Sequence, residues 1–166
     1  MRYTIRMEKV LAELAQRMGN FLHERHWRLA AAESCTGGWV AKILTDIPGS
    51  SSWFDRGYVV YNAQAKHDML GVKLDTIAQH GEVSEAVVRE LAAGALERAN
   101  ANISLAISGI AGPGGATPTK PVGMVCFAWG ATDHEVVSEI QYFPGDREAV
   151  RRQAVMHSLQ YILNNY

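Results

Sequence analysis

Residues 31–38, Ala31-Ala32-Glu33-Ser34-Cys35-Thr36-Gly37-Gly38, constrain this chain more than any other stretch. The segment before them, Trp27–Ala32, suits a strand, and the apolar stretch after them, Trp39–Leu44, suits a helix. A strand–turn–helix junction of this kind leaves backbone N–H groups at the helix N-terminus free to bind an anion. It also holds a hydroxyl at the mouth of the turn, within reach of a ligand. Such a junction points to a small-molecule enzyme rather than an inert domain.

The remaining pattern alternates helices with strands. From Met7 to His23 the apolar residues Val10, Leu11, Leu14, Met18, Phe21 and Leu22 recur at three- and four-residue intervals, one face of an amphipathic helix. Gly19 weakens that helix without ending it. Pro48-Gly49 closes the helix after the turn, and Trp53–Tyr61 contains the strand formers Tyr58-Val59-Val60-Tyr61. Asn62 caps a helix over 63–70 that Gly71 stops. Short and long helices follow over 75–80 and from Ser84. Ile103–Ile107 is a compact strand leading into the glycine-rich loop Ser108–Gly115. Two adjoining strands, Val122–Trp129 and Val136–Phe143, precede a last helix over 146–163. The order predicts an α/β layered sandwich, a mixed β-sheet flanked by helices, in one domain spanning 1–166.

Composition excludes several classes of function. A net charge of -1 gives no bulk attraction to nucleic acid or to an anionic membrane. No apolar run is long enough to span a bilayer, and Met1-Arg2-Tyr3-Thr4-Ile5-Arg6 lacks the apolar core of a signal peptide. The expected location is the cytoplasm, where a disulfide between Cys35 and Cys126 is not expected. The six histidines are scattered, so neither a metal nor another cofactor is expected.

Three segments place small or polar residues where a strand hands over to a turn: Glu33–Gly38, Tyr61–Lys66 and Ser108–Gly115. Sites in α/β sheets gather at the carboxyl ends of strands, so the three can converge on one crevice. A serine needs a base to become a nucleophile. No histidine lies suitably beside a turn, His67 being the nearest, and Lys66 is the better candidate for a Ser-Lys pair with Ser34. Tyr61 can relay a proton, and backbone amides at the Thr36–Gly38 helix start can form an oxyanion hole. Each residue also has an ordinary reading: Ser34 as a helix cap, Lys66 as a solvated helix residue, Tyr61 as a half-buried strand aromatic, and the glycine loop as a plain connection. Glu33 reads as an acid–base group or, preferably, as a charge at a helix N-terminus. Lys42 lies along the helix surface and is not the expected base.

At these residues the chain resembles the CinA C-terminal domain family. The likeness runs in order through Ala32–Gly38, Leu44–Ser51, Arg56–Asn62, Ala65-Lys66, Leu70–Val72, Gly81–Glu85, Ser108–Gly115, Lys120–Gly123 and Gly145-Asp146-Arg147. It implies hydrolysis of the carboxamide of nicotinamide mononucleotide to nicotinic acid mononucleotide and ammonia, with Ser34 as nucleophile, Lys66 as base and Tyr61 assisting, and without a metal. Glu33, Thr36, Gly37, Gly38, Asn62, Ser108, Gly112, Gly114 and Gly115 would then line the substrate pocket, with the Gly112–Gly115 loop or Lys120 at the phosphate. Pairing of subunits into a dimer is also implied. Longer members carry a separate pyrophosphatase-associated domain to which the likeness does not extend. The competing readings are a non-catalytic nucleotide-binding module of the same fold and a metal-dependent phosphohydrolase using Asp46, Asp55 or Asp68.

Overall fold

Alternating apolar side chains give the central sheet two covered faces. In β1 (Leu29–Glu33), Leu29 and Ala31 enter one core, while Ala30 and Ala32 enter the other, as the two-residue period of a strand requires. A computed structural model describes residues 2–166, with side chains from Glu8 onward. The other strands are β2 (Phe54–Val59), β3 (Ile103–Gly109), β4 (Met124–Ala131) and β5 (Val137–Tyr142). The sheet order is β2-β1-β3-β4-β5. β2, β1 and β3 run parallel, while β4 and β5 pair antiparallel.

The helices are α1 (Arg2–Glu24), α2 (Trp39–Thr45), α3 (Ala63–Leu70), α4 (Leu74–His80), α5 (Glu85–Arg98) and α6 (Arg147–Asn165). Leu14, Met18 and Leu22 of α1, Val40 and Leu44 of α2, and Val155 and Leu159 of α6 pack with Leu105, Phe127 and Trp129 on one face of the sheet. Leu70 of α3 and Val88, Leu91 and Ala95 of α5 pack with Ala106 and Cys126 on the other. The protein is thus a layered α/β sandwich with a mixed sheet, in agreement with the sequence pattern. Boundaries differ by a few residues. β3 continues through Ser108 and Gly109, so the glycine-rich loop begins at Ile110, and α1 starts well before Met7. No helix among the described residues is long and apolar enough to cross a membrane.

Two close approaches hold helices in place. Trp53 lies over Gly19, where a Cβ would sit 2.8 Å from its indole ring. A Cβ on Gly94 of α5 would lie 2.1 Å from the carbonyl oxygen of Leu70, at the end of α3. Glycine therefore occupies the middle of α5, despite its helix cost, because the backbone of α3 rests against it. The start of edge strand β2 is tied down by Asp55. Its carboxylate accepts from Arg28 Nη2 at 2.9 Å, Arg56 Nε at 2.6 Å and the Asn100 amide at 3.2 Å. Burial pushes this carboxyl up, but these donors and the charges of Arg56 and Arg28 outweigh it and hold it below its ordinary value.

Gly94→Ala should destabilise the protein by about 1–3 kcal/mol, read from a urea midpoint, because α3 has to move to admit the methyl group. Asp55→Asn should cost about 1–3 kcal/mol at pH 7. A carboxyl held low in the folded state takes up protons mainly on unfolding, so its stabilisation is present above the unfolded carboxyl range and lost as pH falls through the folded one. The gap between wild type and Asp55→Asn should therefore close on acidification below about pH 4, which parallel denaturation series would measure.

Candidate active site

The chain leaves β1 through α2 on one face to reach β2, and later arrives at β3 through α5 on the opposite face, on the other side of β1. Strand order therefore reverses between β1 and β3, and the crevice outside their carboxyl ends is where such sheets bind ligands. A cavity of about 290 Å³ opens there, with Ser34, Tyr61, Lys66, Glu82, Gly112 and Arg147 in its wall. A larger hollow of about 510 Å³ lies between α1, α2 and α6. Its cations are paired with neighbours on their own helices, Lys42 with Asp46 and Arg152 with Glu148, and it contains no nucleophile. The smaller cavity is the candidate site.

The turn that presents Ser34 is fixed from both sides. Ser34 extends the strand pairing, its amide donating to the Ile107 carbonyl at 2.9 Å. The Glu33 side chain is buried, and its carboxylate accepts from the amides of Gly38 and Val40 at 3.1 Å each and of Ala41 at 2.9 Å. From α6, Arg151 donates to the carbonyls of Cys35 at 2.9 Å and Thr36 at 3.0 Å. The Gly37 amide donates to the Ser34 carbonyl at 3.1 Å. The expected oxyanion donors at Gly37 and Gly38 are thus already taken. Glu33, Thr36, Gly37 and Gly38 border this turn but lie outside the cavity wall. Glu33 serves the helix terminus, as a carboxylate there should.

Lys66 is not a solvated lysine. Its side chain is 1% exposed, and Nζ donates to Ser34 Oγ at 3.3 Å and to Glu82 Oε2 at 3.0 Å. The first turn of α3 carries it inward, and Asn62 caps that helix by accepting from the Ala65 amide at 2.8 Å. Asn62 is therefore a structural cap and not part of the cavity wall. Ser34, 8% exposed, is not a helix cap, since Gly38 occupies that position on α2. Ser108 lines the cavity, but its hydroxyl donates to the Glu82 carbonyl at 2.9 Å.

Tyr61 is exposed rather than half-buried, and its hydroxyl accepts from Arg147 Nη2 at 2.9 Å. Arg147 Nη1 donates to the Gly112 carbonyl at 2.8 Å. The amides of Ala111, Gly112, Gly114 and Gly115, residues of the cavity wall, donate to no acceptor among the described residues. Lys120 instead binds the carbonyls of His80 and Val83, the latter at 2.7 Å, beneath the Glu82 turn. His67 faces the Val72 carbonyl at 2.9 Å, and Lys42 pairs on the surface with Asp46. Asp46, Asp55 and Asp68 are engaged separately with Lys42, Arg28 and Gln64. Among the described residues, no three His, Cys, Asp or Glu side chains form a metal-holding group.

Sequence reasoning missed Glu82 and Arg147. Both stand beside readable signals, Glu82 two residues before the Ser84 cap and Arg147 directly after the Asp146 cap, but neither signal tells that the side chain meets Lys66 or Tyr61. Cys35 also reaches the cavity. Burial pushes its thiol up to about 12, and that of Cys126 to about 11. Both therefore remain protonated thiols at neutral pH, and Ser34 is the group at this turn with a base beside it.

Residues 11–166 match the CinA C-terminal domain family. The chain is 52% identical over 150 residues to the nicotinamide-nucleotide amidohydrolase PncC of Escherichia coli K12, covering 90% of this chain and 91% of that one. It is 45% identical over 153 residues to the protein of that name from Pseudomonas putida, covering 92% and 95%. The crystal structure of the competence/damage inducible protein CihA from Agrobacterium tumefaciens superposes with a TM-score of 0.89 at 40% identity, covering 93% and 94%.

Thiolate is the form that alkylating reagents attack. Iodoacetamide at pH 8 should leave Cys35 and Cys126 unmodified in the folded protein and label both after denaturation, as read by intact mass. Rapid labelling of Cys35 in the folded protein would contradict this description of the turn.

Proposed function

The chain belongs to the CinA C-terminal domain family, and we propose that it hydrolyses the carboxamide of nicotinamide mononucleotide to nicotinic acid mononucleotide and ammonia. The activity named for its E. coli relative supports the substrate. The observation that carries the mechanism is the 3.3 Å contact between Lys66 Nζ and Ser34 Oγ.

In this reading Lys66, as the amine, accepts the hydroxyl proton while Ser34 Oγ bonds to the carboxamide carbon. The tetrahedral oxyanion is received by the amides of Ala111, Gly112, Gly114 or Gly115, which have no acceptor among the described residues. The lysine ammonium then gives its proton to the departing nitrogen, the C–N bond breaks and ammonia leaves. Water, deprotonated by the same amine, attacks the acyl–serine ester. The carboxylic acid departs, and Ser34 regains its proton. The seryl hydroxyl and the amine are both buried, which keeps bulk water from competing for the pair.

The charge in the cavity wall suits an anionic substrate. Lys66 is balanced by Glu82, and the Arg147 guanidinium has no carboxylate partner among the described residues. Arg147 and Tyr61 therefore take the phosphate end, a role for which a forked guanidinium is well shaped.

Purified protein should release ammonia from nicotinamide mononucleotide. Ser34→Ala should lower the rate by at least roughly 10³-fold, and Lys66→Met by about 10²–10⁴-fold, each with unchanged far-UV circular dichroism. Arg147→Met should raise KM for the mononucleotide by about tenfold, about 1.4 kcal/mol of lost binding, with a smaller effect on nicotinamide riboside. Binding of the mononucleotide without ammonia release would replace the amidase by a nucleotide-binding module. Full activity in Ser34→Ala would end the serine mechanism.

A further inference from the structure

We propose that Glu82 is the positioning partner of Lys66: its carboxylate holds the amine against Ser34 and balances the ammonium that forms when Lys66 takes the serine proton. This rests on the serine–lysine mechanism above and adds a third member to it, as activated nucleophiles generally have a base oriented by another group.

The environment of Lys66 supports this role. Its Nζ has two polar side-chain neighbours, Ser34 Oγ and Glu82 Oε2. A buried ammonium without an anion is strongly disfavoured. The buried carboxylate beside Ser34, Glu33, is held by three amides at the start of α2. Glu82 is therefore the anion that Lys66 has available. Its side chain is 43% exposed, so it connects the sealed amine with the cavity mouth.

The backbone beneath Glu82 is fastened at four points. Ser108 Oγ donates to the carbonyl of Glu82 itself. Lys120 Nζ donates to the carbonyls of His80 and Val83 on either side. Ser84 Oγ donates to the Gly81 carbonyl at 2.9 Å and caps α5 by accepting from Val87. The carboxylate is thus aimed before substrate arrives, the condition under which an electrostatic partner helps most. This gives Ser108 and Lys120 a place in the site as supports of Glu82 rather than as ligands of substrate.

The proton account closes without Glu82 being protonated. As the Ser34 oxygen bonds to the carbonyl carbon, its proton moves to the Nζ lone pair. As the C–N bond breaks, Nζ returns that proton to the departing nitrogen. Glu82 remains a carboxylate throughout, so it acts on the chemical step and not on substrate binding.

Two readouts test this, and one of them does not depend on the substrate. Methanesulfonyl fluoride should sulfonylate Ser34: an Oγ–S bond forms, the S–F bond breaks, fluoride leaves and Lys66 takes the proton. The rate is followed by intact mass for wild type, Glu82→Gln and Glu82→Ala. Glu82→Gln should slow this labelling on the order of tenfold or more. It should lower kcat for nicotinamide mononucleotide by a similar factor, with KM changed by less than about twofold. Sodium formate should restore part of both rates in Glu82→Ala, and formamide should not. Wild-type rates in Glu82→Gln, a loss confined to KM, or equal restoration by formamide would each overturn the proposal. So would a wild-type Ser34 that the reagent does not label. Labelling that depends on Glu82, with no ammonia released from the mononucleotide by wild type, would support the proposal and overturn the substrate reading alone.

Discussion

The carboxylate of Glu33 at the end of β1 fixes where α2 begins, and the site depends on that junction. Three amides of the helix close on it. A buried carboxylate is tolerated only when its oxygens are fully hydrogen-bonded, and the positive end of a helix is a favourable place for it. The strand, the turn and the helix therefore move as one unit. Arg151 adds a second brace from α6 through the carbonyls of Cys35 and Thr36. Between these two restraints Ser34 has little freedom, and its hydroxyl faces the cavity that Lys66 also enters.

The mixed sheet explains why the partners of Ser34 come from distant parts of the chain. Parallel pairing of β2, β1 and β3 sends three carboxyl ends to one edge. β2 leads to Tyr61 and the α3 cap, β1 to Ser34, and β3 to Ser108 and the glycine-rich loop. α3 is seated by its contact with Gly94 of α5, which sets the depth of Lys66. α5 also begins at the turn that carries Glu82. One helix thus supports both ends of the Lys66–Glu82 pair, so packing on the face of the sheet opposite α2 bears directly on the chemistry.

Much of this was legible in the sequence. Helical periodicity, the Asn62, Ser84 and Asp146 caps and the Gly71 stop placed nearly every element, because these signals are local. Ser34, Lys66 and Tyr61 were readable as candidates because each follows a strand. The misplacements share a cause. Thr36–Gly38 looked like free helix-terminal donors, but a residue's hydrogen-bond partner is a tertiary fact: the Gly38 amide goes to Glu33 and the Gly37 amide to the Ser34 carbonyl. Asn62 was read as a cap, and it caps α3. Glu82 and Arg147 carry ordinary surface-type side chains in unremarkable local sequence. Only the fold shows that one meets a buried amine and the other a phenol across the cavity mouth.

The central claim is that the amide carbon passes through an ester on Ser34. Hydroxylamine tests this directly, since it intercepts an acyl–serine in competition with water. With nicotinamide mononucleotide as substrate, the account predicts the corresponding hydroxamate at the expense of the acid, in proportion to added hydroxylamine, while ammonia release does not fall. Ammonia released at full rate with the acid as sole product at every hydroxylamine concentration would mean that water attacks the amide itself, and the serine pathway would be contradicted.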